Sequence, residues 1–425
     1  MIWVMIFLFL LFMIIGLPVA FSMGTSALLY ILSEGIPISM VAQKFFTNTQ
    51  SFPFLAVPFF ILSGNLMVQS GVANKIIKFA NSVIGRLPGA LGCVSVVVSM
   101  IMAGVSGSSV ADAASTGSIL IPEMVKQKYT KSFSAAINAT TSVVGIIIPP
   151  SSTMIIIAWI TNLSVLRMFL AGAIPGIILG LSYLIITVII SIRKKFPREE
   201  SFSWKGFFDA LRECAWVVVF PFLLLIAIIF GIATVTEIAA VASLYSLVIG
   251  LFVYKSLDFK GLKQALIDST RSTTAVMALV CSANVFSWVL IRENIPQIIS
   301  RAVLSLDVSD AVILLVMILI LAVAGMFIDL VANLFIFIPI FFPIIKEMGM
   351  DPIHFSIILL MTLALGLFTP PVGATLFISC NIAKIGLEEV FQDLIPYFIV
   401  GVLVVFLVAY VPEVSLWLPN LVTGR

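Results

Sequence analysis

The chain has 425 residues, of which 61% are hydrophobic and only 10% charged, and its mean hydropathy is +1.22. So little charge excludes a soluble domain, and the long apolar runs exclude a barrel of short alternating strands, which leaves an all-α polytopic membrane protein. The net charge of +3 is carried at helix ends, as membrane topology requires, and gives no support for nucleic-acid binding.

In chain order, Met1–Leu32 reads as a first span, retained because no basic segment precedes its apolar run. Ile36–Gln50 is short and amphipathic, and Phe52–Val68 is a second span. Val72–Gly85 sets Lys75, Lys78 and Asn81 against Ile76, Ile77, Phe79 and Val83, the pattern of a helix lying along the bilayer surface. Ala90–Ala103, the polar turn Gly104–Ser109 and Val110–Lys126 predict a re-entrant hairpin with its tip at mid-membrane. Such backbone is tolerated only inside protein or against a wet cavity. Ser132–Ile148 is a helix that must stop at Pro149-Pro150, because proline lacks the donor and clashes one turn back; it resumes to Ile160. Spans follow at Leu166–Ile192, Trp216–Val235 and 238–254, with Glu237 in a short loop.

The second half repeats this order. Leu262–Arg271 is amphipathic, Ser272–Ile291 spans, and Pro296–Leu306 is a second interfacial arm. Asp310–Ala324 and Leu330–Ile345 form a hairpin about Gly325–Asp329. Phe355–Phe368 breaks at Pro370-Pro371 and resumes to Ala383, and Leu394–Val411 is the last span. Residues 104–175 slide onto 325–396 without a gap: Pro122, Pro149, Pro150 and Pro175 meet Pro343, Pro370, Pro371 and Pro396. Gly104 meets Gly325, Gly145 meets Gly366 and Asp112 meets Asn333. Matching interruptions in two halves of an apolar chain point to the binding site of a secondary transporter.

Lys126, Lys128 and Lys131 flank the first hairpin and Arg193–Lys195 end a span, so both belong in the cytoplasm. Five crossings separate the hairpins, and an odd number inverts the second copy. The expected fold is an inverted-repeat ion transporter with two re-entrant hairpins and two broken helices.

Three hydroxyls and two glycines in the first tip (Ser106, Ser108 and Ser109 among them) suggest a cation or carboxylate site, although small residues also serve close helix packing. The Pro-Pro breaks free carbonyls at Gly145–Ile148 and Gly366–Thr369, and a sodium ion, hard and oxygen-seeking, would satisfy them. Asn138 and Thr141 before the first break and Thr362 before the second add oxygens; the alternative is a proline kink healed by hydroxyls or water. Gly325, Asp329 and Asn333 stand at the second tip, where a carboxylate is costly and by default functional. Asp112 is either functional in the same way or a helix cap. Arg292 is either a bidentate clamp for a substrate carboxylate or an interfacial arginine reaching headgroups. His354 reads as a loop-edge histidine with a proton carrier as alternative, and Cys93, Cys214, Cys281 and Cys380 have no metal-ligand spacing. No Walker motif and no catalytic constellation occur, so neither ATP use nor an enzyme is expected, and sodium is the only metal implied.

With Gly104-Val-Ser-Gly-Ser-Ser-Val-Ala-Asp112, then Ile121-Pro-Glu-Met124, the two Pro-Pro breaks and Gly16-Leu-Pro-Val-Ala20, the chain resembles the large membrane subunit of tripartite ATP-independent periplasmic (TRAP) transporters over essentially its whole length. The resemblance implies sodium-driven uptake of an organic acid delivered by a soluble periplasmic binding protein. It implies a small four-helix membrane partner and a bacterial inner-membrane location with the N-terminus cytoplasmic and the C-terminus periplasmic. It also implies an elevator, in which a transport unit moves against a scaffold. By position, Ser108, Thr153, Arg292 and Asp329 fall where the family handles substrate and ions. The implied division of the single membrane domain is scaffold at 1–71, an arm at 72–86, transport unit at 87–165, scaffold at 166–293, an arm at 294–307, transport unit at 308–386 and a C-terminal helix at 387–425. The chain looks most like sialic-acid members, with C4-dicarboxylates as the alternative. A binding-protein-independent sodium symporter or antiporter, a channel and a non-transporting scaffold are the rival readings.

Overall fold

The structure, a computed structural model, describes residues 1–49, 52–198, 203–305 and 308–424; the segment ends expected at Gln50 and Leu306 lie outside them. Two short helices, α1 (Ile2–Ile14) and α2 (Val19–Ser33), stand where one span was expected. Gly16 between them takes φ +94°, and Pro18 has no N–H to continue a helical ladder. After α3 (Ser39–Thr49) and a 3-10 turn at Phe52–Leu55, α4 (Ala56–Gln69) bends by 71° into the arm α5 (Val72–Ile84).

The first hairpin is α6 (Ala90–Ser106) and α7 (Ser109–Lys126). Next, α8 (Lys131–Ser142) tightens into a 3-10 turn at Val143–Ile146, breaks at the prolines and resumes as α9 (Ser152–Thr161). α10 (Val165–Lys194) and α11 (Trp204–Ile229) follow. α11 starts well before the expected span, because its polar first turns lie along the arm, where Lys78 meets Glu213 at 2.7 Å. Glu237 is not a loop residue. It is the third residue of α12 (Val235–Val248) and forms a capping box, accepting from the Thr234 N–H at 2.7 Å while its own N–H donates to Thr234 Oγ1.

α13 (Phe259–Arg292) is one continuous helix of 34 residues, not an amphipathic segment followed by a span. No proline interrupts it, and its polar first half is one face of the same helix. α14 (Ile295–Leu304) is the second arm, α15 (Asp310–Phe327) and α16 (Leu330–Glu347) the second hairpin, and α17 (Pro352–Gly366) and α18 (Ala374–Ala383) the second broken helix. α19 (Leu387–Tyr410) is followed by a short α20 (Glu413–Thr423). Among the described residues seven helices are long and apolar enough to cross a membrane, or eight if α4 and α5 count as one bent span.

Contacts along α10 and α19 show how the hairpins enter. At the C-terminal end of α10, Lys194 pairs with Asp393 at the start of α19, and Ser132 at the start of α8 donates to the same carboxylate at 2.6 Å. The Gly89 N–H, at the base of the first hairpin, donates to the Pro197 carbonyl there. At the other end of α10, Arg167 lies 3.9 Å from Asp351, which follows the second hairpin. The Tyr410 hydroxyl, at the far end of α19, donates to the Ala311 carbonyl at that hairpin's start. The hairpins therefore enter from opposite ends of the bundle, about 40 Å apart along α10 at 1.5 Å per residue.

His354 sits inside the first turn of α17, buried, not at a loop edge. Its Nδ1 is 2.7 Å from Ser415 Oγ and its Nε2 is 3.4 Å from the Ala409 carbonyl, so it ties α17 to α19 and α20.

Candidate functional site

The two hairpin tips are built alike. In the first, Gly107 takes φ +57°, and Ser108, extended, caps α7 by accepting the Ala111 N–H at 3.4 Å. In the second, Asp329 caps α16 by accepting the Val331 N–H at 2.9 Å. Ser108 and Asp329 are the same position of the repeat. Because Ser108 supplies the cap, the capping role considered for Asp112 is not the one it plays. Asp112 lies one turn further on, fully buried; neither of its carboxylate oxygens makes a well-formed hydrogen bond among the described residues, and the Ser99 hydroxyl is the polar group beside it. Its repeat counterpart Asn333 donates from Nδ2 to the Ile328 carbonyl at 2.9 Å, while its Oδ1 is likewise buried without a partner.

Each tip docks on the break of its own repeat. Ser152 Oγ donates to the Gly107 carbonyl at 3.1 Å, and the Val372 N–H donates to the Met326 carbonyl at 3.2 Å. Both Pro-Pro peptides are cis. At the first break, a Cβ on Gly145 would lie 3.8 Å from Asp112 Oδ2, so this carboxylate faces the 3-10 turn. At the second, Gly366 is pressed on Gly325, and a Cβ there would lie 2.3 Å from the Gly325 carbonyl oxygen. Thr141 and Thr362 take equivalent places, each donating to the carbonyl four residues back (2.8 and 2.7 Å). Thr141 also receives the Ser99 hydroxyl at 3.3 Å. Thr369 donates to the Leu365 carbonyl at 2.6 Å, and Ile148 repeats its place at the first break.

The tips meet at a cavity of about 180 Å³ between α4, both hairpins, α9 and α13. Ser106, Ser108, Thr153 and Asp329 all line it. Among the described residues its lining contains no lysine or arginine.

Arg292 is not brought there. Ser272 and Val276 of α13 line the cavity, and Arg292 is sixteen residues beyond Val276 on the same helix, about 24 Å away along its axis. It is exposed, with its guanidinium 5.6 Å from the Trp288 ring. Nor does Asn138 reach the first break. Its Nδ2 donates to the Ala113 carbonyl and to Ser379 Oγ, both at 2.9 Å, and its Oδ1 accepts from Thr116 at 3.0 Å, so it joins α8 to α7 and α18.

Sequence reasoning missed Asn65 and Ser272, which also line the cavity. Asn65, a lone amide in the apolar run 52–68, was the available signal. Among the described residues no cluster of His, Cys, Asp and Glu suits a transition metal. The oxygens gathered at the breaks, hydroxyl, carbonyl and carboxylate, are of the kind hard cations take.

Residues 6–414 match the family described as "Tripartite ATP-independent periplasmic transporter, DctM component". The chain is 37% identical to the "C4-dicarboxylate TRAP transporter large permease protein DctM" of Vibrio cholerae serotype O1, covering 97% of this chain and 96% of that one. It is 33% identical to the "Sialic acid TRAP transporter large permease protein SiaM" of the same organism, covering 96% of each. It is 34% identical to the "Isethionate TRAP transporter permease protein DctMQ" of Oleidesulfovibrio alaskensis, covering 96% of this chain and 65% of that protein. In fold it is similar to the Alcanivorax borkumensis YdaH transporter, at 14% identity, a TM-score of 0.65 and 90% coverage of both chains. The multi-pass helical architecture and the full-length relationship to large permeases converge: this chain belongs to the DctM-component family of TRAP transporters, as a large membrane subunit.

Proposed function

We propose that this subunit takes up a small organic acid coupled to sodium, with the substrate in the cavity between the hairpin tips and the ions at the two breaks. The observation that carries the reading is the pair of under-satisfied buried groups at matched repeat positions: the Asp112 carboxylate, with only the Ser99 hydroxyl beside it among the described residues, and the Asn333 Oδ1, without a partner among them. A buried oxygen without a donor costs about 1–3 kcal/mol, and more when charged, unless something compensates it. A sodium ion at each break does so, held at the first by Asp112, Thr141 and the carbonyls of Gly145–Ile148, and at the second by Asp329, Asn333, Thr362 and the carbonyls of Phe368 and Thr369, since the Gly366 and Leu367 carbonyls already accept from Thr369 and Thr375.

Coupling follows from charge. Among the described residues the cavity offers an organic acid the hydroxyls of Ser108 and Thr153 and the Asn65 amide, but no cationic side chain and one carboxylate, Asp329. Nearby sodium supplies the missing positive charge, so substrate affinity depends on the ion, and by reciprocity ion affinity depends on the substrate. At about 180 Å³ the cavity is below the ~300 Å³ usual for drug-sized ligands, which favours an acid of C4-dicarboxylate size over a sialic acid. The relatives named for these two substrates are about equally similar to the chain.

In this reading the hairpins and broken helices form the moving unit and α4, α12 and α13 belong to the scaffold. The first hairpin opens to the cytoplasm and the second to the periplasm. The partners are a small membrane subunit and a periplasmic binding protein. The test is co-reconstitution with both partners, with uptake of labelled succinate and of labelled sialic acid compared. Succinate uptake driven by a sodium gradient supports the reading; exclusive sialic-acid uptake contradicts its substrate size.

A further inference from the structure

A second and larger space, of about 890 Å³, opens between α9, α13, α16 and the second arm, and Asn162, Asn284, Trp288 and Lys346 line parts of it. This vestibule and the tip cavity follow the same three helices. On α9, Ile156 lines the cavity and Trp159 the vestibule; on α16, Val331 lines the cavity and Phe335 the vestibule. On α13, Val276 faces the cavity and Asn284 the vestibule, and Val280 and Ala283 between them are fully buried. The two spaces thus lie one above the other, one helical turn apart on α9 and α16.

Three rings fill that turn. The Trp159 indole is 4.7 Å from the Phe54 ring, and 6.1 Å and edge-on from the Phe335 ring. Phe54 belongs to the turn ahead of α4, which walls the tip cavity through Val57, Ile61 and Gly64. Trp159 follows the first break and Phe335 follows the second tip, so the seam joins both repeats to a scaffold helix. Phe54 and Phe335 are buried, and Trp159 is half-buried at the vestibule floor.

We propose that Trp159, packed between Phe54 and Phe335, is the barrier that closes the substrate cavity against this vestibule, and that the organic acid enters or leaves past the indole. The inference rests on the cavity being the substrate site. An apolar seam of packed rings excludes water and small anions, because a charged group would lose its hydration with no polar partner in return. Of the three rings, Trp159 is the one with open space on one side, so it is the ring the packing leaves freest to move.

The test reads accessibility, without sodium or substrate, so it does not depend on whether transport is sodium-driven. In cells making the full complex, with Cys93, Cys214, Cys281 and Cys380 replaced by alanine, single cysteines are introduced as Asn162→Cys in the vestibule and Thr153→Cys in the cavity. A charged, membrane-impermeant thiol reagent is applied on the side from which Asn162→Cys reacts. Thr153→Cys should react slowly beside Trp159 and roughly tenfold or more faster with Trp159→Ala, which leaves a void in the seam. Trp159→Phe should restore the slow rate. Should Trp159→Ala fail to accumulate, judged by Asn162→Cys labelling, Phe335→Ala gives the same reading. Labelling of Thr153→Cys as fast as Asn162→Cys with Trp159 intact, or no acceleration in either alanine variant, overturns the barrier. Absence of sodium-driven uptake by the parent protein, with the labelling pattern intact, would instead overturn the transport reading alone.

Discussion

Gly366 of the second break and Gly325 of the second hairpin touch backbone to backbone: a Cβ on Gly366 would stand 2.3 Å from the Gly325 carbonyl oxygen, whereas one on Gly325 would meet nothing closer than 3.4 Å. The two glycines are register partners of Gly145 and Gly104, yet the first repeat is built differently. There Gly104 is pressed against Pro221, and Gly145 looks toward Asp112. One break is sealed by a glycine-on-glycine contact, and the other holds a buried carboxylate.

This asymmetry sets the first expectation. Gly366→Ala forces backbone apart and should destabilise the protein by about 1–3 kcal/mol or uncouple the hairpin from the break. Gly325→Ala should be clearly milder. Thermal unfolding of the two purified variants compares them directly, and equal melting temperatures would show that the contact does not constrain the break.

Asp112→Asn keeps the volume and removes the charge facing Gly145. Sodium activation of uptake should shift to roughly tenfold higher concentration, as expected when a cation loses a charged oxygen ligand worth about 1.5 kcal/mol. Asn138→Ala, by contrast, removes a helix-joining amide and should lower stability without a selective change in sodium dependence. An Asp112→Asn variant with unaltered sodium activation would remove the carboxylate from the ion site.

Asp329 has two roles that substitution separates. Asparagine also caps helices, so Asp329→Asn should keep stability, while Asp329→Ala should cost about 0.5–2 kcal/mol. Both should impair sodium-dependent substrate binding, because both remove a carboxylate that holds the second ion beside the cavity. Normal uptake by Asp329→Asn would leave Asp329 with a capping role alone.

Arg292→Lys should sustain uptake within about twofold of the parent, because an exposed cation over Trp288 keeps its charge and its ring contact in lysine. A sharp fall in uptake by well-expressed Arg292→Lys would return the guanidinium to the substrate path.

What was legible in the sequence was what acts locally. Proline and glycine set backbone by their own chemistry, so the two breaks, the two tips and the shift relating them could be read before any packing was known. Ser108, Thr153 and Asp329 follow from those breaks and do line one cavity. Arg292 stands close to the second hairpin in sequence, but α13 runs unbroken from the cavity at Val276 and carries it about 24 Å further along the helix axis. Asp112 was visible as the partner of Asn333, but whether an acid in a first turn caps the helix depends on which oxygen reaches which N–H, and Ser108 had already taken that place. The hydropathy is continuous across Gly16 and Pro18 and so predicts a single first span, although the chain turns there.

The most direct measurement is uptake of labelled succinate into proteoliposomes holding this subunit with its small membrane partner, the binding protein outside, and sodium imposed on one side only. The account predicts accumulation that requires both the inward sodium gradient and the binding protein, and that collapses when the gradient is dissipated. Uptake of equal extent with potassium in place of sodium, or without the binding protein, would contradict it.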